Sequence, residues 1–151
     1  MKKVNIFSLL LIILLFKTSC GYTPIYSSSN FELKIKKIDY EPNILNKQIV
    51  QTLSSLSNPS ASKEYNLSVN TLNEKNIVSK NSKGETVIFE KKIVLELELY
   101  NEENRYNKKF SSKINYNNND NKFELNQYEI EIEKQIIDDL IEEVILYFSN
   151  L

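Results

Sequence analysis

The residue in this chain whose type and position most clearly invite chemistry is Cys20, the single cysteine among 151 residues. It follows Met1-Lys2-Lys3 and a mostly apolar run from Val4 to Phe16, with Lys17-Thr18-Ser19 between. That run is short of the ~20 residues a membrane-spanning helix needs, and it reads as the core of a signal peptide. A thiol at that place suits lipoprotein processing. Diacylglycerol joins the sulfur in a thioether, the chain is cut before Cys20, and the freed amine is acylated. Thr18 and Ser19 are small enough for a peptidase to reach the backbone, whereas Lys17 stands where an aliphatic residue is usual. A lone cysteine in an oxidising compartment is also better capped than free. The other reading of Cys20 is an incidental thiol in an ordinary secreted protein.

Other chemistries lack their parts. There is no His, so a Ser-His-Asp or Cys-His nucleophile cannot be assembled. One Cys and no His cannot supply a zinc site of the Cys/His type. The two glycines, Gly21 and Gly84, cannot make a glycine-rich phosphate loop. Glu96 and Glu98 are paired carboxylates, ~6.7 Å apart along one face of a strand, but nothing marks a cleft around them. No enzyme, cofactor or metal is expected. The net charge of −1 carries no nucleic-acid footprint either. Asn is abundant, with twenty copies, a bias that an AT-rich coding sequence would also produce.

These features divide the chain into a signal peptide over 1–19, a lipid-anchored tether over 20–30, and one α+β domain over 31–151. The tether is Ser-rich and contains Pro24. Charge is uneven along the mature chain: residues 118–151 hold 9 acidic and 2 basic groups, while 20–117 hold 11 acidic and 14 basic.

The elements that must carry the surface emerge from periodicity. Phe31, Leu33 and Ile35 alternate with Glu32, Lys34 and Lys36, predicting a half-buried strand. Pro42 suits the first turn of a helix, and Leu45, Ile49, Leu53 and Leu56 come next at helical spacing until Asn58-Pro59. Tyr65, Leu67 and Val69 predict a second strand, and Asn81-Ser82-Lys83-Gly84 a turn. Val87, Phe89, Ile93, Leu95, Leu97 and Leu99 share one parity and Glu90, Lys92, Glu96 and Glu98 the other, so the third strand has a dry and a wet face. Lys91 interrupts the dry row, which requires a bulge or a snorkelling side chain. Asn101-Glu102-Glu103-Asn104 predicts another hairpin turn, and Tyr106, Phe110, Ile114 and Tyr116 a fourth strand.

From Phe123 the period changes to that of a helix. Phe123, Ile130, Ile137, Leu140, Ile141, Val144, Phe148 and Leu151 fall on one side, with Asp138, Asp139, Glu142 and Glu143 opposite. Tyr128 to Glu133 also alternates like a strand, which leaves the helix start open. The order β-α-β-β-β-α predicts a two-layer α+β sandwich: a four-stranded, mainly antiparallel sheet with two helices across one face. The other face is polar and must meet water or a polar partner.

Cys20-Gly21-Tyr22-Thr23-Pro24-Ile25-Tyr26 resembles the opening of the LPS-assembly lipoproteins, the LptE family. The element order, the long third strand and the long C-terminal helix look like the same family over most of the mature chain. The resemblance implies an outer-membrane lipoprotein, anchored on the periplasmic side, that sits inside an LptD-type β-barrel. There it would assist barrel assembly, plug the lumen and contact lipopolysaccharide. Basic groups expected on the wet face could meet lipopolysaccharide phosphates: Lys34 and Lys36, the pair Lys91 and Lys92, and Lys108 and Lys109. Each is equally an ordinary solvated strand lysine. The alternative function is another lipid-anchored periplasmic factor, an auxiliary subunit of a lipid transporter or of a secretion system.

Overall fold

The structure, a computed structural model, describes residues 32–151. The signal segment, Cys20, the tether and Phe31 lie outside the described residues. Six elements occur in order: β1 (Leu33–Tyr40), α1 (Ile44–Leu56), β2 (Lys63–Lys80), β3 (Thr86–Tyr100), β4 (Arg105–Asn117) and α2 (Lys122–Phe148). The strands lie side by side in chain order, with β1 parallel to β2 and the other two pairs antiparallel. Both helices pack on one face and touch each other, so the α+β sandwich is the one the periodicity predicts.

Asparagine side chains set several of the boundaries. Asn43 caps α1, its Oδ1 accepting the Asn46 N–H at 2.7 Å. Pro42 therefore precedes the cap instead of occupying the first turn, a correction to the expected helix start. At the hairpin tips, Asn81 Oδ1 accepts from the Lys83 and Glu85 N–H groups, and Asn101 Oδ1 from those of Glu103 and Asn104. Gly84 closes the first of these turns at φ +82°, a left-handed conformation that costs a glycine little. Asn121 caps α2 through the Phe123 and Glu124 N–H groups. That cap settles the open start, and the strand-like alternation from Tyr128 to Glu133 lies inside the helix.

The core is continuous from sheet to helices. Leu67, Ile93, Leu95 and Leu99 from the strands meet Ile49 and Leu53 of α1 and Ile136, Leu140 and Val144 of α2, all essentially without exposure. Burial of such residues supplies the favourable term at ~25 cal/mol per Å² of apolar surface. The end of α1 is stitched to β1: Ser57 Oγ accepts the Ile35 N–H at 2.9 Å, and Asn58 N–H donates to Leu33 O at 3.1 Å.

Two expectations about side-chain placement fail. The β3–β4 register runs unbroken from Ile88↔Asn117 to Tyr100↔Arg105, so Lys91 causes no bulge in β3. The irregularities sit at Ile35–Lys37 in β1 and at Ile77–Lys80 in β2. Nor does the Lys91 head reach water: the ammonium pairs with Glu133 beneath α2, and the side chain is 12% exposed. Secondly, the helical period puts Phe123 and Ile130 on the buried side of α2, yet they are 72% and 57% exposed. Ile137, Ile141 and Phe148, on the same flank, are buried. The physical reason is length: α1 has 13 residues against 27 in α2, and it packs on β1, which pairs only with Lys63–Val69, the end of β2 that Lys63 ties to Leu151 just past the C-terminus of α2.

Candidate functional site

Alternation along the strands sends consecutive residues to opposite faces, and this sorts the candidate basic groups. Lys34, Lys36, Lys92 and Lys109 lie on the outer, helix-free face. Lys91 and Lys108 do not. Lys91 points under α2, where its Nζ is 2.8 Å from Glu133 Oε2 with the side chain 12% exposed. Lys108 leans over the ring of Tyr147 on the helix side, 5.6 Å from its centroid. The expected wet-face pairs Lys91-Lys92 and Lys108-Lys109 are thus split by the pleat, one member to each side.

On the outer face, every one of these cations has a carboxylate partner. Lys34 and Lys36 converge on Glu64, Lys37 sits 2.6 Å from Asp39, and Lys109 is 2.9 Å from Glu96. Lys113 reaches Glu90 and Arg105 reaches Glu98, both at 2.8 Å. Lys92 is held less closely, 3.6 Å from Glu74. Isolated exposed pairs of this kind add ~0–1 kcal/mol each to stability, so the ladder is better read as a surface than as a brace. It makes the face polar without making it strongly cationic.

The carboxylates feel their partners. Hydrogen bonds from Lys34 and then Lys36 hold Glu64 at about 2, against an ordinary 4.5. Glu96 and Glu90 are lowered by Lys109 and Lys113 respectively. A shallow open groove crosses this face, lined by Ser68, Asn70, Glu96, Glu98, Asn107 and Lys109. Beyond the groove on the same face, Val94 is buried at 4% although it has outer parity, and Leu72 stands opposite it in register. Among the described residues, no three His, Cys, Asp or Glu side chains come together as a metal-binding group.

The inner polar groups were not found from the sequence. Under the first half of α2, Glu129 accepts from Lys75 at 2.5 Å and from the Tyr116 hydroxyl at 2.8 Å. Glu133 meets both Lys91 and the Asn73 side-chain amide, the latter at 3.2 Å. Burial works to raise the Glu129 carboxyl, but the bonds from Lys75 and Tyr116 outweigh it and leave it lowered. Burial, reinforced by Glu129, pushes the Tyr116 phenol well up. The signal was available. A lysine in a dry row needs a counter-charge, and Glu129 and Glu133 are spaced i, i+4 beside Ile132 and Ile136.

Cys20 lies outside the described residues, so its role rests on the sequence. Among the described residues, no helix is long and apolar enough to cross a membrane.

No protein-family model matches the chain, and no curated protein does. Solved structures do share its fold. Rare lipoprotein B from Shewanella oneidensis is 14% identical, with a TM-score of 0.54 over 76% of this chain and 97% of that one. A minor lipoprotein from Acinetobacter baumannii is 17% identical, again with a TM-score of 0.54, over 76% of this chain and 93% of the other. A lipoprotein from Caulobacter crescentus CB15 is 10% identical, with a TM-score of 0.54 over 83% and 93%. At these identities the likeness concerns the fold.

Proposed function

We propose that this chain is an outer-membrane lipoprotein, acylated at Cys20 on the periplasmic side. In this reading it assists assembly of, and plugs, an LptD-type β-barrel through which lipopolysaccharide reaches the cell surface. The observation that carries the proposal is the outer sheet face, polar and charge-paired from β1 to β4. Large outer-membrane barrels have polar interiors, and a plug needs a surface that stays polar when enclosed. Paired charges suit enclosure better than bare ones, because each already has a partner when water is displaced. The structural neighbours, themselves lipoproteins by name, and the Cys-Gly-Tyr-Thr-Pro-Ile-Tyr opening support the anchor.

Of the pair Lys91 and Lys92, Lys92 is the one offered to lipopolysaccharide. It lies on the outer face and its 3.6 Å contact with Glu74 is the longest of the ion pairs, so a phosphate can take its place. Lys91 is committed to Glu133 and serves the fold. Depleting the protein in its own cells tests the function. Assembled barrel should fall, and lipopolysaccharide should accumulate on the inner side of the envelope. Unchanged surface lipopolysaccharide would instead favour an auxiliary lipoprotein of a transporter or secretion system.

A further inference from the structure

The sheet outruns the layer beside it. β1 pairs with β2 only from Lys63 to Val69, while β2 continues to Lys80 and pairs with β3 along the way. Among the described residues, no strand borders the other edge of β2 from Asn70 to Lys80. Alternate residues there direct both N–H and C=O away from β3. The first half of α2 reaches this stretch of β2, Glu129 accepting from Lys75 and Glu133 from Asn73. Phe123 and Ile141 are eighteen residues apart, five helical turns, and so are Ile130 and Phe148. The C-terminal member of each pair is buried and the N-terminal member is exposed. Ile77 on the helix side of β2 and Leu72 on its outer side are each 54% exposed.

We infer that this notch receives an extended segment of another protein, added as a fifth strand beside β2 and carrying apolar side chains at alternate positions. The backbone edge dictates a peptide, because a repeating ladder of donors and acceptors is matched by another main chain and not by lipid or sugar. The flank dictates the pattern: side chains turned toward the helix meet Ile77, Phe123 and Ile130. The opposite sheet edge is guarded differently. β4 carries Arg105, Lys108, Lys109 and Lys113, the charges by which edge strands resist pairing. The bare stretch of β2 carries two cations, Lys75 and Lys80, against these four, and in both strands most of the charges are already held in ion pairs.

A second copy of this chain is the less suitable occupant. Two copies that overlap their bare stretches fully set Lys75 opposite Lys75, and like charges directly opposite destabilise a sheet. Sliding one copy toward Val69 runs it into β1, and sliding it away shortens the ladder.

The inference stands independently of the barrel reading, and so does its test. The full chain in detergent is mixed with a synthetic peptide, Lys-Thr-Val-Thr-Val-Thr-Val-Thr-Lys, and amide exchange is monitored by residue. Exchange at the alternate amides of 70–80 that face away from β3 should slow at least tenfold, while β4 amides stay unchanged. Replacing Phe123→Asp and Ile130→Asp together should weaken peptide binding at least tenfold with the circular dichroism and melting curve preserved, since both side chains are exposed. Absence of protection, or equal protection at β4, overturns the inference. So does protection of 70–80 without peptide, whether it rises with protein concentration (a second copy) or vanishes when residues 20–31 are removed (the chain's own tether).

Discussion

Lys91 Nζ lies 2.8 Å from Glu133 Oε2, and this pair joins the one charged position in the inward row of β3 to the first half of α2. Asn73 donates to the same carboxylate oxygen from β2, and Lys75 and Tyr116 bind Glu129 one turn earlier. The second half of α2 is held by apolar contacts around Ile136, Leu140 and Val144. The first half adds these charge-assisted hydrogen bonds to the core contacts of Leu125 and Ile132.

Breaking that pair should be costly in one direction. Glu133→Gln leaves a nearly buried ammonium without its counter-charge, and should destabilise the fold by about 1–3 kcal/mol in urea unfolding. Lys91→Met keeps the stem and removes the charge, and should cost less. The double variant should show a coupling of about 1 kcal/mol. Strict additivity would mean that the two side chains act separately.

The two parities of β3 should respond differently to truncation. Leu97 is 3% exposed in the core, so Leu97→Ala should cost ~2–5 kcal/mol through lost burial and a cavity. Glu96, on the outer face, should tolerate alanine with only a small shift of the urea midpoint, the size an exposed ion pair allows. Equal losses at both positions would contradict a one-sided sheet.

Acid should loosen the outer ladder in a defined window. The folded-state pKa of Glu64 lies at about 2, below its ordinary 4.5, and Asp39, Glu90 and Glu96 are lowered in the same sense. A depressed pKa contributes stability that is complete above about pH 4.5 and drains as pH falls toward 2. The urea midpoint should therefore decline between pH 5 and pH 2, and Glu64→Gln should flatten that decline. A variant with the parent's full slope would mean that Glu64 is not held by Lys34 and Lys36.

Lipidation is the prediction that falls on the N-terminal segment. Cys20→Ser should abolish metabolic labelling with radioactive palmitate and stop cleavage before residue 20. Intact mass of the parent should correspond to a chain beginning at an acylated Cys20. A native chain that begins elsewhere, or carries no lipid, would remove the anchor from the account.

The fold was legible because each element buries one face with a clear period. Leu95, Leu97 and Leu99 announced a one-sided strand, and Leu45, Ile49, Leu53 and Leu56 an amphipathic helix. What could not be read was the relative length of neighbouring elements. Periodicity places Phe123 and Ile130 on the apolar side of α2, but only the short reach of α1 shows that this side is uncovered there. The bare edge of β2 was equally hidden, because Asn70 to Lys80 carries little alternation and, among the described residues, borders no second strand. For the candidate site, parity correctly gave the outer positions of Lys34, Lys36, Lys92 and Lys109. The partner of each cation was not readable, since cross-strand register decides which carboxylate it meets.

Co-purification reports whether the protein associates with an outer-membrane barrel. The full-length lipoprotein, extracted from its own envelope in mild detergent and captured through a C-terminal tag, should bring down one large β-barrel protein in a 1:1 ratio. Purification without such a barrel, or with inner-membrane transporter subunits in its place, would rule out the barrel as its partner.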